Sequence, residues 1–396
     1  MLLRTVSSTS PVTSRALVAG VDSIAVLRAN GLGDLIVAEP ALAALRAAYP
    51  DASITLLGAP HALALLADRP APVDRVIAVP LVPGVRFDAG GADRVPDDPP
   101  EVVEAFCARM RAERFDLAVQ LHGGGGNANP LVARLGARLT AGSRAPGAAA
   151  LDRTVPWTPF QHDVLRWLEV VALVGAQPVR LQPFLAVTPA DRHAAELALS
   201  AAGVGASGDR AERLLALHPG ATDPRRRWPP QRLAAVANAL AADGIRPVLL
   251  GGACDAAVAA DLRAALRVPA VDLSGALSLP GLVGVLERAA LFVGNDSGPR
   301  HLAEAVGTAT VGVFTKANLV DVAPLFRTRH RVAVSWASAC AVCGADYLAG
   351  DCGHAATVLG DVAVDEVVGQ ARDLLAGQAE QRGDGPAAPA QVEARR

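Results

Sequence analysis

Short apolar runs alternate with amphipathic stretches twice along this chain. In the first half, residues 24–27 read as a buried strand. A helix follows over 35–48, with Leu35, Leu42 and Leu45 near helical spacing and Pro50 as its stop. Residues 53–57, 75–79 and 116–121 read as further strands, and 101–113 as a helix. Residues 82–100, rich in Gly, Pro and Asp, read as a loop insertion. The stretch 187–213 begins as a polar helix and ends in a Gly-rich run, and is taken as the interdomain linker. The rhythm then restarts. Strands are predicted over 214–218, 246–250, 270–273, 291–294 and 310–314, with helices over 230–242, 255–266, 280–288 and 299–306. Strand–helix alternation in both halves predicts an α/β fold of two Rossmann-like domains with parallel sheets.

These patterns divide the chain into a flexible leader (1–21), a first domain (22–186), the linker (187–213) and a second domain (214–360). A C-terminal helix (361–376) and a disordered tail (377–396) complete it. The length of 396 residues suits two ordinary domains, and the apolar content of 51% suffices for two cores. A net charge of −2 gives no reason to expect a nucleic-acid partner, whose phosphates call for a basic face. No apolar run is long enough to span a bilayer, and the N-terminus lacks an unbroken apolar signal core. Five cysteines, an odd number in a long chain, read as reduced cytoplasmic thiols.

Three loops at strand ends are suited to chemistry, because ligands of doubly wound sheets bind there. The first is Arg28-Ala29-Asn30-Gly31-Leu32-Gly33-Asp34. Ile36 stands where a dinucleotide fingerprint would need its third glycine, so a carboxylate at a tight turn reads either as a helix cap or as a general base. The second is His218-Pro219-Gly220-Ala221-Thr222-Asp223-Pro224-Arg225-Arg226-Arg227-Trp228, whose arginines suit anionic oxygens. The third is Gly294-Asn295-Asp296-Ser297-Gly298-Pro299-Arg300-His301. Its helix start offers backbone N–H groups to an anion, and its Asp296 suits sugar hydroxyls.

In sequence, these loops resemble the motifs of glycosyltransferase family 9, the heptosyltransferase family. The likeness runs from about Ser23 to Leu325. It is carried by Gly31-Leu32-Gly33-Asp34 with Pro40 and Leu45, and by His218-Pro219-Gly220-Ala221 with Arg226, Arg227, Trp228 and Pro229. Asp272-Leu273-Ser274-Gly275 and Gly294 to Pro299 with His301-Leu302-Ala303 complete it. The resemblance implies a GT-B fold whose two sheets face across a cleft, and an inverting transfer that needs no metal or other cofactor. It implies Asp34 as the base and Arg226 as the cation on the donor diphosphate, where the family usually has lysine. It places Thr222 and Ser297-Gly298 at the diphosphate, with Asn295, Asp296 and His301 at the donor. Asp255 is assigned to ribose hydroxyls, a surface helix cap explaining it equally well. Arg28, His122 and Asn127 are placed on the acceptor side. The implied donor is a nucleotide-diphosphate sugar such as ADP-heptose. The implied acceptor is a glycan or lipid-linked glycan such as lipopolysaccharide core, compatible with peripheral membrane association. A sugar-nucleotide epimerase, or a nucleotide-sugar-binding protein without catalysis, is the competing reading. Cys340, Cys343 and Cys352, with His354 beyond, are zinc-ligand types, but loose spacing and the lack of a second C-x-x-C favour plain thiols.

Overall fold

The computed structural model describes residues 16–86, 96–205, 212–350 and 352–382. Two compact units divide the chain at Thr188–Pro189, with Val320–Leu325 counted in the first. Each unit holds one six-stranded, fully parallel sheet.

The first sheet is built from β1 (Ser23–Arg28), β2 (Ser53–Gly58), β3 (Arg75–Ala78), β4 (Leu117–Gln120), β5 (Leu139–Arg144) and β6 (Arg153–Pro156), in the order β3-β2-β1-β4-β5-β6. The second contains β7 (Arg213–His218), β8 (Ile245–Leu249), β9 (Val271–Asp272), β10 (Leu291–Asn295), β11 (Thr310–Thr315) and β12 (His330–Ser335). Its order is β12-β11-β10-β7-β8-β9. Read from the first strand of each, both follow the doubly wound order 3-2-1-4-5-6. The order reverses between β1 and β4 in one sheet and between β7 and β10 in the other. The loops leaving those four strands therefore flank the points where such sheets bind ligands.

The central strands are nearly continuous apolar runs because helices cover both faces. Helix α1 (Leu32–Ala48) is buried from Leu35 to Leu45. It is followed by α2 (Pro60–Leu66), α3 (Pro100–Glu113), α4 (Ala128–Ala133) and α5 (Asp163–Ala172), the last packing on α1. The second unit opens with α6 (Pro189–Ala201), which packs closely on α9 (Leu279–Arg288). A Cβ at Gly284 would fall 2.2 Å from the backbone oxygen of Asp191. The stretch expected as a linker thus contains a packed helix of the second unit, and its Gly-rich end, 206–211, lies outside the described residues. Helices α7 (Pro230–Ala241), α8 (Ala256–Ala265), α10 (Gly298–Ala305), α11 (Lys316–Val322) and α12 (Val364–Arg382) complete the chain. Residues 377–382, expected in a disordered tail, are helical; the rest of that tail and residues 1–15 of the expected leader lie outside the described residues.

Each unit contains a buried histidine held neutral. Burial pushes His122 down from 6.5 to about 4, helped by the charge of Arg28. Burial does the same to His330, which bonds Thr310 through Nδ1 at 3.0 Å. The unfolded chain therefore binds more protons than the folded one between pH 6.5 and 4. Stability is full above about 6.5 and falls as the pH drops toward 4, by up to about 3 kcal/mol per histidine. Urea unfolding across this window checks it, and His330→Asn should flatten the slope.

Candidate active site

In the first unit the site grows from the end of β1. The strand leaves with Arg28, turns through Gly31, and starts α1 at Leu32. Asp34 is the third helical residue. Its Oδ2 accepts the Gly31 N–H at 3.0 Å, and its charge suits the helix N-terminus. Oδ1 accepts from Arg28 Nη2 at 2.9 Å, while Arg28 Nε donates to the Asp34 carbonyl at 2.9 Å and Nη1 to the Leu121 carbonyl at 2.8 Å. The guanidinium lies 4.8 Å from the Trp167 ring on α5 and 3.7 Å from the Asp163 carboxylate. Next to it, Arg166 stacks 3.6 Å over Trp157. Arg28 is consequently buried, whereas the Asp34 side chain keeps 41% of its exposure. A carboxylate locked in orientation but open to solvent is a competent proton acceptor. Arg28 is a positioning residue for it.

His122 is not in an open pocket. Its Nε2 bonds the Gly84 carbonyl at 3.2 Å, and Nδ1 faces the Ala29 N–H at 3.5 Å. A neutral ring opposite a carbonyl carries its proton on Nε2, so His122, in the loop after β4, is tied through Nε2 to the loop after β3 and faces the loop after β1 through Nδ1. Asn127 is exposed at the start of α4, with its side chain against Gly84.

In the second unit the site is built from the ends of β7 and β10. The three arginines separate. Arg225 is held by Asp223 through Nε at 3.0 Å and Nη2 at 2.7 Å, and lies 4.8 Å over the Tyr347 ring. Arg227 Nε donates to the Ala221 carbonyl at 2.9 Å. Arg226 turns instead toward β10, its Nη1 4.0 Å from Asp296 Oδ2, and stays partly exposed. Thr222 is exposed on the same loop.

Asn295 does not face a ligand. Buried, it accepts the Trp228 N–H at 2.8 Å and donates to the carbonyls of Pro219 at 2.7 Å and Gly220 at 3.3 Å. It clamps the arginine loop to β10, and Trp228 anchors that loop in the core. Asp296 is also buried. Its carboxylate accepts from His301 Nε2 at 3.1 Å, Arg300 Nε at 3.4 Å and Asn318 Nδ2 at 2.5 Å. Burial pushes this carboxyl up, but the His301 bond, the charges of His301 and Arg300 and the Asn318 amide outweigh that and hold it below the usual carboxylate range. Asp296 is therefore a hub that aligns Arg226 and Asn318. His301, expected at the donor, acts on Asp296 from inside α10.

Asp255 caps the turn that leads into α8, as one of its two expected roles has it, but from a buried position that is not open to ribose. It is buried, with Oδ2 3.3 Å from His218 Nε2 and accepting the Gly252 N–H at 2.9 Å. A Cβ at Gly220 would lie 2.0 Å from its Oδ1, so glycine there is what lets the carboxylate approach. The far nitrogen of His218, Nδ1, lies 3.1 Å from Ser297 Oγ. The chain Asp255–His218–Ser297 thus fixes Ser297 at the entrance to α10, where Gly298 is the first helical residue. Three contributors were missed in the sequence. Trp167 gives no signal before folding, Asn318 follows a strand that reads only as apolar, and nothing around His218 in the sequence points to a carboxylate 37 residues on.

Two doubly wound units of this kind make up the GT-B fold. A family model, Glycosyltransferase family 9 (heptosyltransferase), matches residues 103–344, and the chain belongs to that family. It is 26% identical to the lipopolysaccharide heptosyltransferase 3 of Escherichia coli over 71% of this chain and 80% of that protein. The structure of a family 9 glycosyltransferase from Veillonella parvula superposes with a TM-score of 0.69 at 20% identity, covering 89% of this chain and 97% of the other. The ADP-heptose lipopolysaccharide heptosyltransferase II of Escherichia coli superposes with a TM-score of 0.66 at 20% identity, covering 91% and 99%. The protein is a glycosyltransferase of heptosyltransferase type. Among the described residues no helix is long and apolar enough to cross a membrane.

Proposed function

We propose that the enzyme transfers heptose from ADP-heptose, with inversion, to a hydroxyl of a lipid-linked glycan of the lipopolysaccharide-core type, in the cytoplasm. The observation that carries this reading is the Asp34 carboxylate, immobilised by Arg28 and the Gly31 N–H yet open to solvent. The acceptor oxygen attacks the anomeric carbon while its proton passes to Asp34. The bond from that carbon to the diphosphate oxygen breaks, and its electron pair leaves with the nucleoside diphosphate. The charge developing there suits Arg226 and the amides at the start of α10, which supply the stabilisation a metal would otherwise give. Direct contacts of Thr222, Ser297 and Gly298 with the diphosphate belong to the same proposal. The named relatives support the heptosyl donor.

A thermal-shift screen of nucleotides and nucleotide sugars tests the donor. At a hundredfold excess over Kd, a specific ligand adds about 2.7 kcal/mol, a shift of a few degrees. ADP-heptose should stabilise more than UDP- or GDP-sugars. Selective stabilisation by nicotinamide dinucleotides would overturn the reading.

A further inference from the structure

Between β12 and α12 the second unit carries four soft ligands that sugar transfer does not use. An antiparallel bridge between Ala339 and Asp346 closes a tight turn, with the Gly344 N–H donating to the Cys340 carbonyl at 2.9 Å and the Cys340 N–H to the Ala345 carbonyl at 2.8 Å. Gly344, at φ 74°, makes that turn without strain. The turn sets Cys343 beside Cys340, and the N–H groups of Cys343 and Val342 point at the Cys340 sulfur. After a single 3-10 turn at Tyr347–Ala349 the chain comes back with Cys352 and His354. One donor atom from each of the four residues, three sulfurs and a ring nitrogen, falls within 4.8 Å of the others. All three cysteines are free thiols, and His354 Nδ1 is buried with no hydrogen-bond partner. The spacing that looks loose along the chain is closed by this returning turn.

The donor set narrows the ligand to a thiophilic metal. Three thiolates and an imidazole without a carboxylate do not suit calcium or magnesium, but are a complete tetrahedral shell for zinc. Zinc–sulfur bonds of about 2.3 Å place sulfurs about 3.8 Å apart in a tetrahedron, so a contraction of about 1 Å closes the shell. With four protein ligands no position remains for a substrate, which makes the site structural. The segment also needs such a fastening, since Val342 and Leu348 are exposed and supply little core of their own. What the segment holds is Arg225. Tyr347 lies under that guanidinium, Arg225 Nη1 donates to the Gly350 carbonyl at 2.9 Å, and the Arg225 carbonyl accepts from Val358 N at 2.9 Å and Thr357 Oγ1 at 3.3 Å.

We propose that Cys340, Cys343, Cys352 and His354 bind one structural zinc ion that fastens residues 338–358 onto the arginine loop. The ion takes no part in bond breaking and leaves the catalytic reading unchanged. Elemental analysis of the full-length chain, purified without chelator, tests it independently of sugar transfer. About one zinc per chain is expected. Cys343→Ser and Cys352→Ser should reduce this to background, while Cys107→Ser, in the first unit, should retain it. Removing the metal from the wild-type chain should raise hydrogen exchange across 338–358 and leave the β7 and β10 amides protected. Cobalt(II) added to that metal-free chain should give tetrahedral, thiolate-bound spectra, a readout that needs no variant to fold. Less than a tenth of a zinc per chain after reconstitution, stoichiometric iron in its place, or zinc retained in a Cys343→Ser/Cys352→Ser double variant would overturn the proposal.

Discussion

Replacing Asp34 by asparagine should lower the turnover number about a thousandfold while leaving donor affinity within a factor of two, the span expected when a positioned general base is removed. Asparagine keeps the size of the side chain and one oxygen for the Gly31 N–H; the bond from Arg28 Nη2 is lost, but Arg28 Nε still donates to the residue 34 carbonyl, so the turn into α1 survives. What disappears is the ability to accept the acceptor proton as its oxygen attacks. Donor affinity is set in the second unit by this account, so isothermal titration with the nucleotide sugar should give an unchanged Kd. An intact fold with lost donor binding would remove Asp34 from the role of base. Arg28→Met should give a smaller kcat loss with little change in KM, because it frees the carboxylate to rotate without removing it.

The second large effect is on stability. Asp296→Ala should lower the unfolding free energy of the second unit by about 3–5 kcal/mol, the cost of breaking a buried ion pair by removing one partner. Arg300 is fully buried between Asp296 and Glu304, and the phenyl ring of Phe314 lies 5.0 Å from its guanidinium. Without Asp296, a buried cation keeps one carboxylate, and His301 and Asn318 both lose an acceptor. Urea unfolding reads the loss. The double variant Asp296→Ala/Arg300→Met should lose more, because Glu304 is then a buried carboxylate without its Arg300 partner. Transfer should remain impaired in both variants, since Arg226 loses the carboxylate that faces it. If Asp296→Ala unfolds no earlier than the wild type, the carboxylate is not the hub described above.

The second unit could be read in the sequence almost strand by strand. Strands β7, β8, β10 and β11 are short apolar runs bounded by Gly and Pro, and helices α7, α9 and α10 carry Pro230, Pro280 and Pro299 in their first turn. The end of the first unit was not legible. In β5, Thr140, Gly142 and Ser143 interrupt the apolar pattern, and β6 is a four-residue edge strand. Helix α5 lies in that stretch, and with it Trp167, the partner of Arg28. The positions of the site loops were legible, because a glycine turn after a buried strand is a local signal. The direction of each side chain was not. Asn295, Asp255 and Asp296 stand beside glycines at strand ends, where a polar group serves a ligand or the backbone equally well. Here they clamp loops, hold His218 and align Arg226. The cysteines show the same limit in reverse. Their spacing argued against a shared ion, and the fold brings them together.

Incubation of the enzyme with ADP-heptose and a truncated lipopolysaccharide-core acceptor, followed by mass spectrometry and anomeric NMR of the product, tests the central claim directly. One heptose should be added to the acceptor with the anomeric configuration opposite to the donor's, with stoichiometric release of ADP, and Asp34→Asn should form product about a thousandfold more slowly. Release of nucleotide at the same rate without acceptor, or a product that retains the donor's configuration, would contradict that claim.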